Sequence, residues 1–422
     1  MKLCQIKKPI FTSLSPNVEK DDLNLVLHLI LRPWLWKSKG PLETLKAHFK
    51  AFLGINNIFL FNSARAGFLA ILRGLDLKPG SEILVQGFTC NALVNPIIWS
   101  RLKPVFVDIK KQTLNIDADD LEQKITAKTK VVVVQHTFGL PAEMDKISAV
   151  CKQHNLILIE DCAHCLGAEY NGQKLGTFGK ASFFSFGRDK IISSVYGGAV
   201  AVNDSVLAEK IKQIENELDN PFYFWIFQQL LHPILTKLII MPFYGFFGLG
   251  KWILIFLQKT RILSKAVHKK EKRGDQPNYL PQKMPGALAV LALHQFGKLD
   301  KILAHQKQIA DIYNQNLQNL NVVLPAKEEG RIYLRYPLLF ENQNTDEILK
   351  KARKQNLFLN DGWRKAVIVP PDTNQEKMGY TANTCPIAEQ AAQQILNLPT
   401  HINIFPNDAF KIADFIKKIV AL

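Results

Sequence analysis

From residue 57 onward, short apolar runs alternate with segments of helical period. "IFLF" (58–61) leads into "SARAGFLAILRGLDL" (63–77), which "KPG" stops. The runs "EILVQG" (82–87), "PVFVDI" (104–109), "VVVVQH" (131–136), "LILIED" (156–161), "ASFFSF" (181–186) and "GAVAV" (198–202) follow. Runs this short and this rich in branched and aromatic side chains read as strands. Separated by helical patterns, they predict an α/β domain whose mostly parallel sheet is sandwiched by helices. A first amphipathic helix is expected after the acidic caps Asp21 and Asp22. Gln86, Asp108, His136, Asp161 and Ser185 close several of the strands. Ligands of open α/β sheets bind beyond the carboxyl ends of the strands, so a cofactor is expected there.

Residues 221–257 break the alternation with an almost wholly apolar, aromatic stretch. A bilayer span needs roughly 20 apolar residues in a row. His232-Pro233, Lys237, Pro242 and Lys251 interrupt this one, which predicts a short helical hairpin and no spanning helix. The basic "KTRILSKAVHKKEKR" (259–273) follows directly. Two readings fit that pairing: a peripheral anchor on anionic lipid, and a hairpin buried in a dimer interface.

Helical period returns over 283–320 and opens a second lobe, with "IYLRYPLLF" (332–340) strand-like and a terminal helix past Asn407. The expected organisation is therefore three parts. Residues 1–213 form an N-terminal segment and a large cofactor-binding domain, 214–275 an apolar and basic insertion, and 276–422 a long helix with a small α+β domain.

Composition narrows the picture only slightly. With 422 residues, 47% of them hydrophobic and 21% charged, the chain is globular and long enough for two domains. The net charge of +16 suits nucleic acid, an anionic membrane or an acidic small molecule such as a sugar nucleotide. Signatures of nucleic-acid modules are missing, so no nucleic-acid partner is expected. The cysteines Cys4, Cys90, Cys151, Cys162, Cys165 and Cys385 are few and scattered, as in a reduced cytoplasm. Cys162 and Cys165 form a C-x-x-C that reads as a redox pair, half a zinc site or small buried side chains. A structural zinc site needs a second ligand pair, so no metal is expected. The N-terminus "MKLCQIKKPIFTSLSPN" is too polar for a signal peptide, which predicts a cytoplasmic protein, peripheral to the inner face of the cell membrane if the hairpin is an anchor.

Lys190 lies between two strand-like runs, in a turn rich in hydroxyl residues and glycine. Taken alone it reads as a solvated loop lysine. Asp161, at the end of its own strand, changes that. A carboxylate placed under a heteroaromatic nitrogen keeps that nitrogen protonated. Pyridoxal 5′-phosphate needs such a partner, and it needs a lysine amine for its Schiff base. Its phosphate needs amide donors at a helix N-terminus, which the strand-to-helix turn "NSARAG" (62–67) offers. Arg65 adds charge there and Ser185 a hydroxyl.

These residues resemble the DegT/StrS-type sugar aminotransferases, pyridoxal-phosphate enzymes of fold type I related to aspartate aminotransferase. The matching stretches keep their order. They include "NSARAGFLAIL", "GSEILVQGFTCNALVN", "KPVFVDIKKQTLNID", "QHTFGLPAEMDKI", "LILIEDCAHCLGAEYNGQKLGTFGKASFFSFGRDK", "YGGAVAV" and the later "ALHQFGKLDKILAHQKQIADIYNQNL". The resemblance implies that Lys190 carries the Schiff base, that Asp161 pairs with the pyridine nitrogen, and that Ser185 binds the phosphate. It implies that Ala64 and Arg65 present backbone amides to that phosphate, and that His164 stands near the cofactor's phenolic oxygen. Cys90 falls where the family often has an aromatic stacked on the pyridine ring, which implies either weaker stacking there or stacking supplied by Phe88. The family's cross-subunit Asn aligns with Pro281, ahead of Lys283-Met284, with Asn278 near but out of register. The insertion lies outside the family pattern.

The implied activity is transfer of an amino group from glutamate to a keto sugar, nucleotide-linked, in cell-surface polysaccharide biosynthesis, by a homodimer. Two alternatives are a cofactor-dependent sugar dehydratase and a non-catalytic membrane-associated protein on the same fold. Dehydrating relatives replace the Schiff-base lysine with histidine. Lys190 stands against the first alternative, and Lys190 with Asp161 against the second.

Overall fold

The computed structural model describes residues 9–14, 17–246 and 248–421, so Cys4 and most of the N-terminal stretch lie outside the described residues. Seven strands form the central sheet: β1 (Asn57–Phe61), β2 (Glu82–Gln86), β3 (Lys103–Val107), β4 (Thr129–Gln135), β5 (Ile157–Asp161), β6 (Ala181–Ser185) and β7 (Gly198–Val202). Their spatial order is β1-β7-β6-β5-β4-β2-β3. Neighbours from β6 to β3 run parallel, and β7 is antiparallel to both β6 and β1.

The near-continuous apolar strands follow from burial on both faces. Side chains alternate across a strand. Val132 and Val134 of β4 therefore join one core with Leu84, Ala199 and Ala201, while Val131 and Val133 join the other with Ile83, Val85 and Val200. Helix α1 spans Lys20–Ile30 and α2 Gly40–Leu53. Asp21 and Asp22 sit in the first turn of α1, behind an N-cap at Glu19, instead of preceding the helix. Helix α3 (Ala64–Leu75) starts directly after β1, with Ser63 accepting the Ala66 N–H at 3.2 Å.

The insertion folds as a hairpin. Helix α4 (Tyr223–Leu235) continues through a π-turn, Thr236–Ile240, into Met241–Tyr244. Beyond Tyr244 the chain returns as α5, Leu249–Lys259. The hairpin is the expected one, and its first arm does not break at His232-Pro233, Lys237 or Pro242, the positions that interrupt the apolar run. Pro233 stands inside α4, and Pro242 lies in the helical segment directly after the π-turn. Gly248, at φ +70°, opens α5 instead. Tyr223–Tyr244 is long and apolar enough by length and composition to cross a membrane. One side of it, carrying Ile226, Leu230 and Ile240, is nevertheless buried, with α4 packed on α1 and on α6 (Gly286–Phe296).

The small lobe pairs Tyr336–Leu339 with Ile395–Leu398, antiparallel, under helices α7 (Leu299–Leu317) and α8 (Pro406–Val420). The strand expected over 332–340 is thus shorter. The two-residue strand Ile10–Phe11 pairs with Leu357–Phe358. Ile10 therefore belongs to the small-lobe core, while Val26 and Leu29 of α1 and Leu45 and Phe49 of α2 join a core of the large domain.

Candidate active site

The parallel register builds the floor of one cavity. Gln135 faces Asp161 across β4 and β5, and Asp161 faces Phe183 across β5 and β6. Register partners project to the same face, so these three side chains line the cavity together. Asp161 is buried, with Oδ1 accepting the Ala163 N–H at 2.9 Å. Burial pushes its pKa up to about 6, against the opposing pull of that N–H and of Lys190.

Lys190 is half-buried and lines the same cavity, which removes the solvated-loop reading. Its turn is pinned from the N-terminal segment: Asn17 Nδ2 donates at 2.8 Å to the carbonyls of both Lys190 and Ile191. Enclosure by protein pulls the amine's pKa down to about 8, partly offset by Cys90 and Asp161.

The phosphate end forms where β1 enters α3. The amides of Ala64 and Arg65 are the first two of the helix and have no carbonyl four residues back inside it. Such donors favour an anion. Gly198 opens β7 against this turn, where an added Cβ would lie 2.4 Å from the Ala64 nitrogen. Ser185 lines the cavity, its Oγ accepting the Gly187 N–H at 3.3 Å. The Arg65 side chain departs from expectation: its guanidinium is ion-paired with buried Glu271 and donates to the Ala266 carbonyl at 3.1 Å. Its charge is neutralised inside the chain, and only its amide serves the anion.

His164 is buried on the cavity wall, its ring stacked on Phe138 with centroids 5.5 Å apart. Its Nδ1 accepts the Phe138 N–H at 3.4 Å, which assigns the proton to Nε2. Burial holds its pKa well below the ordinary range, so the ring is neutral and can donate from Nε2. Cys90 lines the cavity as a protonated thiol, raised by burial, while its sulfur caps the Ala92 N–H at 3.4 Å. Phe88 does not stack on the cofactor: it is fully buried behind the cavity, edge-on to Phe138 and Trp363. Trp363 reaches the cavity, as do Phe183 and Tyr196.

Of the five polar strand ends, only Asp161 and Ser185 reach the cavity. Asp108 caps the helix Pro386–Gln394 through the N–H groups of Ile387 and Ala388. Gln86 donates to the carbonyls of Phe88 and Leu114 and to Thr137 Oγ1. His136 is one position too late: the alternation sends it to the opposite face and leaves Gln135 in the cavity. There His136 lies within 4.8 Å of Cys162 and Cys165. Its Nδ1 accepts the Ala142 N–H at 3.1 Å, placing the proton on Nε2, 3.5 Å from Glu160. Burial keeps both thiols protonated. These three side chains gather on the face of the sheet opposite the cavity, apart from the site.

Sequence reasoning missed the small lobe's share. Arg335 and Asp361 form a buried pair, Nε to Oδ2 at 3.0 Å, on the cavity wall beside Trp363. The available signal was a charged residue inside the apolar run "IYLRYPLLF".

The model of the DegT/DnrJ/EryC1/StrS aminotransferase family matches residues 16–218 and 260–417. The chain belongs to this family. Among its relatives, the pleiotropic regulatory protein of Geobacillus stearothermophilus is 38% identical over 332 residues, 78% of this chain and 75% of that one. The GDP-perosamine synthase of Caulobacter vibrioides is 25% identical over 408 residues, 95% of each. The structure of Helicobacter pylori PseC, an aminotransferase involved in the biosynthesis of pseudoaminic acid, superposes with a TM-score of 0.75 at 22% identity, covering 98% of this chain and 100% of that one. The fold is therefore that of the pyridoxal-phosphate transferases of fold type I. As a member of this aminotransferase family the protein is pyridoxal-phosphate-dependent. The residues present fit that cofactor: an amine, a buried carboxylate and a helix N-terminus open on one cavity. The family match leaves 219–259 unmatched, which is the hairpin.

Proposed function

We propose that this aminotransferase takes an amino group from glutamate and delivers it to the ketone of a nucleotide-linked sugar used in cell-surface glycan biosynthesis. The observation that carries the reading is the convergence of Lys190, Asp161 and the first amides of α3 on one cavity. The name of the Caulobacter relative, GDP-perosamine synthase, supports a nucleotide-linked acceptor. Glutamate rests on the family resemblance, as does the homodimer.

When bound, pyridoxal phosphate supplies the electron sink that acidifies the donor's α-carbon and holds the amino group between half-reactions. The chain's own groups do the rest. Asp161, a buried carboxylate on the cavity floor, would hold a cation on the ring nitrogen. Lys190, with a pKa of about 8, is poised near neutral pH to take a proton from the donor's α-carbon and return it to the carbon on the other side of the donor nitrogen. His164 donates from Nε2 and, being neutral, adds no charge to the site. The amides of Ala64 and Arg65 hold the phosphate and so fix the ring. Arg335 lines the cavity with its Nε paired to Asp361, and its remaining N–H groups would meet a substrate anion.

The test is absorbance of the cofactor-loaded protein while amino donors and GDP-, UDP- and dTDP-linked keto sugars are added in turn. Glutamate should shift the visible band and one keto sugar should restore it. Borohydride should fix the cofactor to Lys190, and Lys190→Ala should lose both the band and turnover. A label on another lysine, or no donor response, refutes the reading. Sedimentation should give a dimer.

A further inference from the structure

We propose that residues 222–273, together with Leu31 and Trp34, form a face that docks on an anionic lipid bilayer without crossing it. Exposed apolar surface is concentrated there. Of the nineteen large apolar side chains exposed among the described residues, fifteen fall within 27–35 and 222–262. The two segments are neighbours: α1 packs on α4, Trp36 lies against Tyr223 and Phe227, and the Lys37 ammonium stands 4.4 Å above the Tyr223 ring. Phe222 is 80% exposed, Leu31 75%, Trp34 69% and Trp252 67%. A soluble surface does not keep such a patch without an occupant.

Charge names the occupant. No acidic residue lies between Asp219 and Glu271, and Glu271 is buried in its pair with Arg65. Lys251, Lys259, Arg261, Lys269, Lys270 and Arg273 stand exposed along the same stretch. A pocket beside the hairpin is lined by Lys259, Arg261, Lys265, Lys269 and Lys270, a match for anionic headgroups next to the apolar tips. A second copy of this chain fits less well, because a two-fold contact over this face would set the basic rim against itself.

The face lies on the bilayer and does not enter as a span. The inner side of α4 carries Gln228 and Gln229. Gln229 accepts from Ser264 Oγ at 2.7 Å, the Ser264 carbonyl accepts from Arg188 at 2.9 Å, and Gln228 donates to the Arg261 carbonyl. Moving α4 into hydrocarbon would strip these bonds and expose polar groups. An interfacial helix with its aromatics down and its lysines at the headgroups keeps them. The family match stops at 218 and resumes at 260, so most of this face is an addition to the family's pattern.

The experiment floats full-length, cofactor-loaded protein with phosphatidylcholine vesicles, with and without phosphatidylglycerol. Wild type should float with the anionic vesicles and not with the neutral ones. Flotation should weaken at 1 M salt, where screening shortens to about 3 Å. Lys269→Gln/Lys270→Gln should weaken partitioning about 30-fold, from about 1 kcal/mol per basic residue. Phe222→Ser/Trp252→Ser/Phe256→Ser should abolish flotation and keep the cofactor band. If the triple variant loses the band, the surface lysine pair carries the test alone. Wild type that stays down with both vesicles, or variants that float as wild type does, overturn the proposal. So does a triple variant that sediments at half the wild-type mass, since the hairpin would then be a subunit interface.

Discussion

Arg65 and Glu271 form a buried ion pair that ties the first turn of α3 to the chain leaving the hairpin, across 206 positions of sequence. Burial opposes the guanidinium charge, and Glu271 outweighs it, so Arg65 stays firmly protonated. Glu271 also accepts the His268 N–H at 2.7 Å and the Tyr279 hydroxyl at 3.1 Å. Glu271→Gln keeps the shape and leaves a buried cation unpaired. It should lower stability by about 3–5 kcal/mol, read as a lower urea midpoint at unchanged slope. A midpoint equal to wild type would mean that the pair carries no net stability.

Asp161→Asn should keep the cofactor and lose turnover by about 10²- to 10³-fold. The amide fills the same space without holding a cation on the ring nitrogen, so a preorganised charge is lost where charge develops. Single-turnover kinetics with glutamate measure this directly. Near-normal rates in a folded variant would give Asp161 another role.

Capture of pyridoxal phosphate by the apoprotein should rise with pH and level off above about 8. Only a neutral amine attacks, and a lysine lowered to about 8 is roughly a tenth neutral at pH 7. Asp161 is one of the negative neighbours that raise this value. Asp161→Asn should therefore move the rise to lower pH. Stopped-flow absorbance across pH checks both, and a shift to higher pH would contradict the assignment.

Arg335→Gln should raise KM for the substrate whose anion it meets, cutting kcat/KM by about 10- to 100-fold, as expected for a lost charged hydrogen bond. Asp361 keeps partners in the variant, the Trp363 N–H at 3.0 Å and Asn397 Nδ2 at 2.9 Å, so the fold should survive. A drop in thermal midpoint with KM unchanged would make Arg335 a structural residue.

Much of this protein was legible locally. The seven strands fall within one or two residues of their apolar runs, because a strand buried on both faces needs apolar side chains whichever neighbours it acquires. Asp161, Ser185 and Lys190 were legible because strand ends and the turn after them occupy a fixed place in such a sheet. The hairpin was legible as an apolar stretch, but its continuity through Pro233 and Pro242 was not. Tertiary structure alone decided the rest. A shift of one residue sends a strand side chain to the opposite face, so Gln135 and not His136 meets the cavity. The partner that absorbs the Arg65 charge, the pair Arg335–Asp361 and the strand pairing of Ile10 with Leu357 all depend on residues far apart in the chain. Hydrophobic period is a property of neighbours along the chain and can be read from them. Pairing of charges and registers is a property of the folded neighbourhood, and only packing brings those groups within reach.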